Sequence, residues 1–337
     1  MKLSEAYTGS ALPQRVAVVG LPGSGKTTLA MGLASMYKLH WIDIENGAET
    51  LLKLTPAQQN NIDLIKLPDS ASYPIAADTL AQLFRAGKAS ICHTHGKVSC
   101  SLCSAKAKSV PDSPDLFDHI DFSALDSNDI VVIDSGTQWS NSILAHIMKS
   151  KPVDAKPERD DWGSLRKHTE FALSQMQAAS FNLVVIFHAQ EAPMEDGKTK
   201  LVPTFGSAAM STEVAKAFGH VVYCDVRNRK HVAFSSSTAL PNVLTKSRTD
   251  FEIEKLAVPS LLPIFNAPGF SAAAHNQEEL SKLIPAVVTT ADVPTPAQPD
   301  PITLSPAAQA LANLRAKKAE AEAATHTPTT TQQEKQQ

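Results

Sequence analysis

The sequence predicts an α/β fold on a mostly parallel central sheet, and three observations carry that prediction. Short apolar runs rich in β-branched residues, at 16–19, 130–133 and 182–187, read as strands buried on both faces. A further strand-like run holds Trp41, Ile42 and Ile44. Each run passes into glycine, carboxylate or other polar residues, as strands do where an open α/β sheet gathers its ligands. Helix-compatible stretches, such as Thr28 to Met36 and about Pro74 to Ala86, lie between the runs.

The first run, Val16 to Val19, leads into Gly20, Leu21, Pro22, Gly23, Ser24, Gly25, Lys26 and Thr27, which spell G-x-x-x-x-G-K-T ahead of a helix beginning near Thr28. Strand, glycine loop and helix in that order form a phosphate-binding P-loop. Its glycines let successive backbone N–H groups turn toward phosphate oxygens, and the helix N-terminus adds a favourable partial charge. Lys26 reaches the β and γ phosphates and the Thr27 hydroxyl ligates magnesium, so ATP and Mg2+ are the expected cofactors.

The second run lies in HWIDIENG, where Asp43 and Glu45 follow with a period of two and leave one face of an extended strand. Cleaving a γ-phosphate needs a group that orients or deprotonates water, and Glu45 is the candidate. The competing reading makes Glu45 a strand-end carboxylate satisfied by a neighbouring backbone N–H.

An insert at about 88–108 carries ICHTHGKVSCSLC. Cys92, His95, Cys100 and Cys103 form C-x2-H-x4-C-x2-C, three thiols and one imidazole with the spacing of a zinc knuckle. His93 is the less suitable histidine, because a two-residue spacer lets both ligands point to one ion whereas adjacent residues diverge. Four protein ligands leave no open position, so the expected zinc is structural. Lys97, Lys106 and Lys108 flank the knuckle, where they would meet DNA phosphates.

The run Ile130 to Ile133 ends in Asp134, the expected magnesium-side carboxylate. Asn182 to Phe187 ends in His188, Ala189, Gln190 and Glu191, and either His188 or Gln190 would sense the γ-phosphate if this strand lies beside that of Asp134. His220 to Asp225 and Lys230 to Ser236 read as two strands joined at Arg227, Asn228 and Arg229, a hairpin extending the sheet.

The chain of 337 residues is 43% hydrophobic, enough for a substantial core, and residues 1–265 are read as one domain. After about residue 266, Pro, Ala, Thr and Gln dominate. Residues 266–337 are read as a disordered tail with a helix at about 306–324 that offers Leu304, Leu311 and Leu314 to a partner protein. A formal charge of −3 announces no global nucleic-acid field. No signal-peptide run and no stretch near 20 apolar residues is present, which gives a cytoplasmic reading with no membrane partner.

Taken together, GLPGSGKTT, WIDIENGAETL, DIVVIDSGTQ, VVIFHAQE and LVPTFGSAA with the later LTKSR resemble the RecA-like recombinase and helicase core over roughly residues 14–250. The similarity is greatest to phage-encoded RecA-like ATPases of single-strand annealing and recombination. It implies a RecA-like P-loop NTPase core, Glu45 as catalytic base, and Gln190 or His188 as phosphate sensor. It further implies that Lys246 and Arg248 reach the nucleotide of an adjacent subunit in a ring or filament. Single-stranded DNA would meet loops at 136–161 and 191–211, where Trp139 and Phe205 are the available stacking aromatics. The zinc insert departs from that family's core. The implied function is a magnesium-dependent ATPase of DNA recombination, annealing or replication. The alternatives are a nucleotide-controlled assembly protein with slow, incidental hydrolysis and, ranked last, a small-molecule or nucleotide kinase.

Overall fold

A computed structural model describes residues 13–265 apart from 71–72, 110–114, 127, 153, 195–196 and 249–251. The expected tail at 266–337, with its helix, lies outside the described residues. The strands are β1 (Arg15–Gly20), β2 (Lys38–Asp43), β3 (Ile62–Lys66), β4 (Lys88–Cys92), β5 (Phe117–Asp121), β6 (Asp129–Asp134), β7 (Asn182–Pro193), β8 (Thr199–Pro203), β9 (His220–Arg227) and β10 (Lys230–Phe234). The helices are α1 (Lys26–Met31), α2 (Pro56–Gln59), α3 (Ile75–Ala86), α4 (Ser101–Ser109), α5 (Gly136–Met148), α6 (Arg159–Ala178) and α7 (Ala208–Ala217).

The principal sheet runs β10-β9-β1-β7-β6-β2-β3, and every pair from β9 to β3 is parallel. β10 closes one edge antiparallel to β9, and β8 folds back antiparallel on the far part of β7. The middle of β1, β6 and β7 is an uninterrupted apolar run because it is buried on both faces. In β1, Ala17 and Val19 enter one apolar layer with residues of α3, α5, α6 and α7, while Val16 and Val18 enter the other with Leu29, Leu33, Trp41 and the 253–265 segment. The α/β sheet expected from the apolar runs is therefore present, and it is doubly covered.

Two expected elements differ in extent. The helix after the P-loop ends at Met31 and tightens into a 3-10 turn over Gly32–Ser35. The insert is larger than about 88–108, because β4 pairs antiparallel with β5 as a separate two-stranded sheet and α4 lies between them in sequence. The β5 partner escaped the sequence reading because DHID places three polar residues among its few apolar ones. The β9–β10 hairpin is as expected, and its Asn228 and Arg229 both have positive φ, 51° and 62°, as a two-residue turn matching sheet twist requires.

The proposed DNA loops are mostly regular structure. Ser135 caps α5 by accepting the Gln138 N–H, so 136–148 is helix, and α6 begins at Arg159. The 191–211 segment is the β7–β8 hairpin followed by α7. Trp139 is 2% exposed and stacked on Phe84 at 5.7 Å, and Phe205 is fully buried against Trp139 and Phe187. Neither ring can stack a base, which corrects that expectation: both belong to the core under the sheet. Lys151 is likewise committed, pairing with Asp161 at 2.7 Å and Glu158 at 3.1 Å.

Phe187 sits at the centre of that core, edge-on to Phe205 and Phe218 with centroids 5.8 Å away in each case. Phe187→Ala should cost about 3–5 kcal/mol, read as a lower urea midpoint at unchanged slope. A midpoint equal to the parent's would contradict this packing.

Candidate active site

β7 is inserted between β1 and β6, so three strand ends meet at one edge. Gly20 lies beside His188 in the β1–β7 register, Asp134 beside Ile186 in the β6–β7 register, and Asp43 beside Asp134 in the β2–β6 register. The condition attached to a phosphate sensor at the end of β7, adjacency to the Asp134 strand, is met.

The P-loop runs from the end of β1 into α1. Gly23 and Gly25 take φ of 75° and 91°, which only glycine adopts without strain. Lys26 is buried and its amine donates to the Leu21 carbonyl at 2.9 Å across the loop. Burial lowers its pKa below the ordinary lysine value, opposed by the charges of Glu45 and Asp134 among others. Thr27 Oγ1 donates to Asp134 Oδ2 at 3.0 Å. Neighbouring oxygens of an octahedral Mg2+ shell, with bonds of about 2.1 Å, also stand about 3.0 Å apart. Burial first, then the charge of Glu45, pushes the Asp134 carboxyl up to about 7, against the Thr27 hydrogen bond. A hydroxyl and a carboxylate oxygen at this separation, in a site where negative charge is costly, fit a hard divalent cation.

The two carboxylates after β2 take separate roles. Asp43 accepts the Gly47 and Ala48 N–H groups, each at 3.1 Å, which folds 44–48 back on the strand end. Ile44 N–H donates to the Asp134 carbonyl at 2.7 Å and holds the next residue beside β6. Glu45 then reaches the Ser135 hydroxyl, which donates to its Oε1, and His188 Nε2 at 3.0 Å from the same oxygen. The His188 hydrogen bond is the largest influence holding the Glu45 carboxyl below its usual range, with burial opposing and Ser135 assisting. Glu45 is thus an anion at neutral pH, and its charge is felt at Lys26. The backbone-satisfied carboxylate is Asp43.

Of the two candidate sensors, the structure brings His188 to Glu45. Gln190 instead donates to the Ser211 hydroxyl at 2.7 Å, inside the contact between β7 and α7. The His188 backbone is tied on both sides: its N–H donates to Thr137 Oγ1 at 2.9 Å and its carbonyl accepts Thr204 N–H at 2.8 Å. Ser135 and Thr137, missed in the sequence, are signalled there only by standing next to Asp134.

Lys246 and Arg248 are not brought to this cluster. Lys246 pairs with Val221 near the start of β9, at the edge of the sheet opposite the P-loop, and its amine donates to the Ala215 and Phe218 carbonyls at 3.1 and 2.8 Å. It closes the C-terminal end of α7. Arg248 lies at that same edge, near Gly219, and its charge lowers the pKa of Arg15 and His220 behind the effect of burial.

In the insert, Cys92 ends β4, Cys100 precedes α4 and Cys103 lies in its first turn. Gly96, with φ of 58°, turns the chain so that its N–H donates to the Cys92 carbonyl at 2.9 Å. The four ligand atoms lie within 4.8 Å of one another, and His95 Nδ1 stands 3.8, 3.5 and 3.3 Å from the sulfurs of Cys92, Cys100 and Cys103. His93 turns away to Asp118 Oδ1 at 3.0 Å. Against the effect of burial, the Lys97 and His95 amides hold the Cys92 thiol down at about 6. The cluster could hold a metal ion.

Breaking the Glu45 contact should show in turnover. Because a charged hydrogen bond contributes about 1.5–3 kcal/mol, His188→Ala should slow nucleotide turnover about ten- to hundredfold. Gln190→Ala should act mainly on the urea midpoint, so a larger kcat loss in the Gln190 variant would reverse the assignment.

No curated protein matches the chain. A solved structure, titled as a prototypical ATPase from the type III secretion system of pathogenic bacteria, aligns at 12% identity over 65% of this chain and 53% of that chain, about half its length. Its TM-score of 0.37 carries no argument. The AAA_24 family model, described as an AAA domain, matches residues 12–249, from just before β1 to beyond β10. The chain therefore belongs to this AAA domain family and is a P-loop ATPase.

Proposed function

We propose that the protein is a RecA-like, phage-encoded ATPase that hydrolyses ATP with Mg2+ in the host cytoplasm and acts in DNA recombination, single-strand annealing or replication. The observation that carries the hydrolytic part is the meeting of Lys26, Thr27, Asp134, Glu45 and His188 at one edge of the sheet. The DNA part rests on the motifs that resemble the RecA-like core.

In this reading the amides of residues 23–27 and the Lys26 amine hold the phosphates, the lysine exchanging the Leu21 carbonyl for phosphate oxygens. Thr27 and Asp134 hold the cation, which when bound neutralises charge developing on the γ-phosphate. Glu45 orients and deprotonates the attacking water, and His188 keeps its carboxylate aimed. Subunits assemble into a ring or filament, with the exposed Arg248 offered to the neighbour, whereas Lys246 is held by the Ala215 and Phe218 carbonyls. DNA contact falls to surface cations, including Lys97, Lys106 and Lys108 of the insert, and the tail recruits a partner protein. The alternative is a nucleotide-controlled assembly protein with slow hydrolysis, and the burial of Trp139 and Phe205 favours it by removing the stacking aromatics.

The deciding measurement is ATP turnover with and without single-stranded DNA while assembly size is followed by light scattering. Turnover that rises with DNA supports the first reading; turnover indifferent to DNA but dependent on protein concentration supports the alternative. Lys26→Ala should abolish nucleotide affinity or turnover, and Glu45→Gln should retain binding while slowing hydrolysis about 10²- to 10⁴-fold. Rapid hydrolysis in the Glu45 variant would remove that residue from catalysis.

The Cys/His cluster is proposed as a structural zinc site. Bonds of about 2.3 Å to sulfur and about 2.0 Å to nitrogen place S and N about 3.5 Å apart in a tetrahedron, which is the mean of the observed spread from 3.3 to 3.8 Å. Purified protein should carry one zinc per chain by elemental analysis, and cobalt replacement should give thiolate charge-transfer bands that Cys100→Ser weakens. Metal-free protein of unchanged stability would refute the assignment.

A further inference from the structure

β10 brings to the P-loop a side chain that no motif announces. β10 is two strands away from β1, but its first residues follow the Asn228–Arg229 turn and overhang the edge where Gly20 ends β1. His231, paired with Val226, stands there with its Nδ1 3.2 Å from the Ser24 carbonyl oxygen. The ring lies against Gly25: a Cβ built on that glycine would come within 2.7 Å of His231 Nδ1 and 3.0 Å of its Cγ. Gly25 is therefore doubly required, by its φ of 91° and by the imidazole over it.

A carbonyl oxygen only accepts, so His231 Nδ1 carries the proton in this contact. The Ser24–Gly25 peptide is planar and trans, and its C=O and N–H point in opposite directions. Holding the Ser24 carbonyl outward, toward His231, turns the Gly25 N–H inward to the space that phosphate oxygens enter. Among the described residues that N–H takes no partner. A hydrogen bond on the carbonyl also polarises the amide and strengthens its N–H as a donor.

We propose that His231 is a positioning residue for the nucleotide: by donating to the Ser24 carbonyl it orients the Gly25 amide toward a phosphate oxygen. The proposal rests on the P-loop reading and deepens it, by assigning part of the loop's preorganisation to the β9–β10 hairpin. His231 itself touches no reacting atom. Its effect belongs on binding more than on chemistry.

Three variants separate the donor from the ring. His231→Phe keeps an aromatic plane over Gly25 without a donor, His231→Ala removes both, and His231→Asn restores an N–H. Affinity for Mg-ADP and for a non-hydrolysable ATP analogue would be measured by calorimetry beside steady-state KM and kcat, with circular dichroism checking the fold. Phe and Ala should weaken both affinities about three- to tenfold, the effect of one net hydrogen bond. KM should rise by more than kcat falls, and Asn should recover most of the loss. Unchanged affinity in the Phe variant, an Asn variant as weak as Ala, or a fall in kcat at constant KM would each overturn the proposal. Lys26→Ala is the control for the reading beneath it. If the parent binds nucleotide, Lys26→Ala does not, and His231→Phe binds like the parent, only the His231 assignment fails. If the parent binds no nucleotide, the P-loop reading fails with it.

Discussion

The contact between the Thr27 hydroxyl and the Asp134 carboxylate is the constraint on which the site depends. These groups follow strands that are not neighbours. Two interstrand spacings, about 9.5 Å, separate β1 from β6, and β7 fills the gap. Thr27 meets Asp134 because α1, which starts at Lys26, packs against β7 and so brings its first turn to the end of β6. Burial raises the cost of charge on both Lys26 and Asp134, so the loop, the acid and the lysine form one electrostatic unit whose mutual attraction partly offsets desolvation.

Around that unit, similar residues are given different tasks by their hydrogen bonds. Asp43 and Glu45 stand two positions apart, but Asp43 is consumed by the amides of its own turn and so projects Glu45 toward Ser135 and His188. His188 and Gln190 are likewise two apart. One faces Glu45 and the other Ser211, and the backbone of β7 is pinned between Thr137 and Thr204. His188 thus links Glu45 to a strand that continues into the β7–β8 hairpin.

The insert follows a different logic. A two-stranded sheet with one short helix buries little apolar surface, and its own small cluster consists of the three cysteines with Phe117 packed against them. Such a small unit needs a staple, which its Cys3His set could supply by holding a metal ion. Its attachment to the core runs through its strands, whose Ala89, Ile91 and Ile120 join the apolar layer of α3 and α5; α3 is tied to α5 in turn, Asp78 pairing with His146 at 2.6 Å and Ser142 accepting the Ala77 N–H at 2.9 Å.

What the sequence determined by itself was local in kind. The parallel strands were legible because burial on both faces demands uninterrupted apolar runs, the P-loop because left-handed turns demand glycine, and the Cys/His set because its spacing is short. Tertiary structure alone decided the rest. Whether an aromatic meets DNA or the core depends on which face of α5 lies under the sheet, so Trp139 could not be judged from its neighbours. The choice between His188 and Gln190, the distance of Lys246 from the phosphates, and the arrival of His231 over Gly25 all depend on strand order and register. These are contacts between residues tens to hundreds of positions apart, and no local spacing encodes which of them a folded sheet brings together.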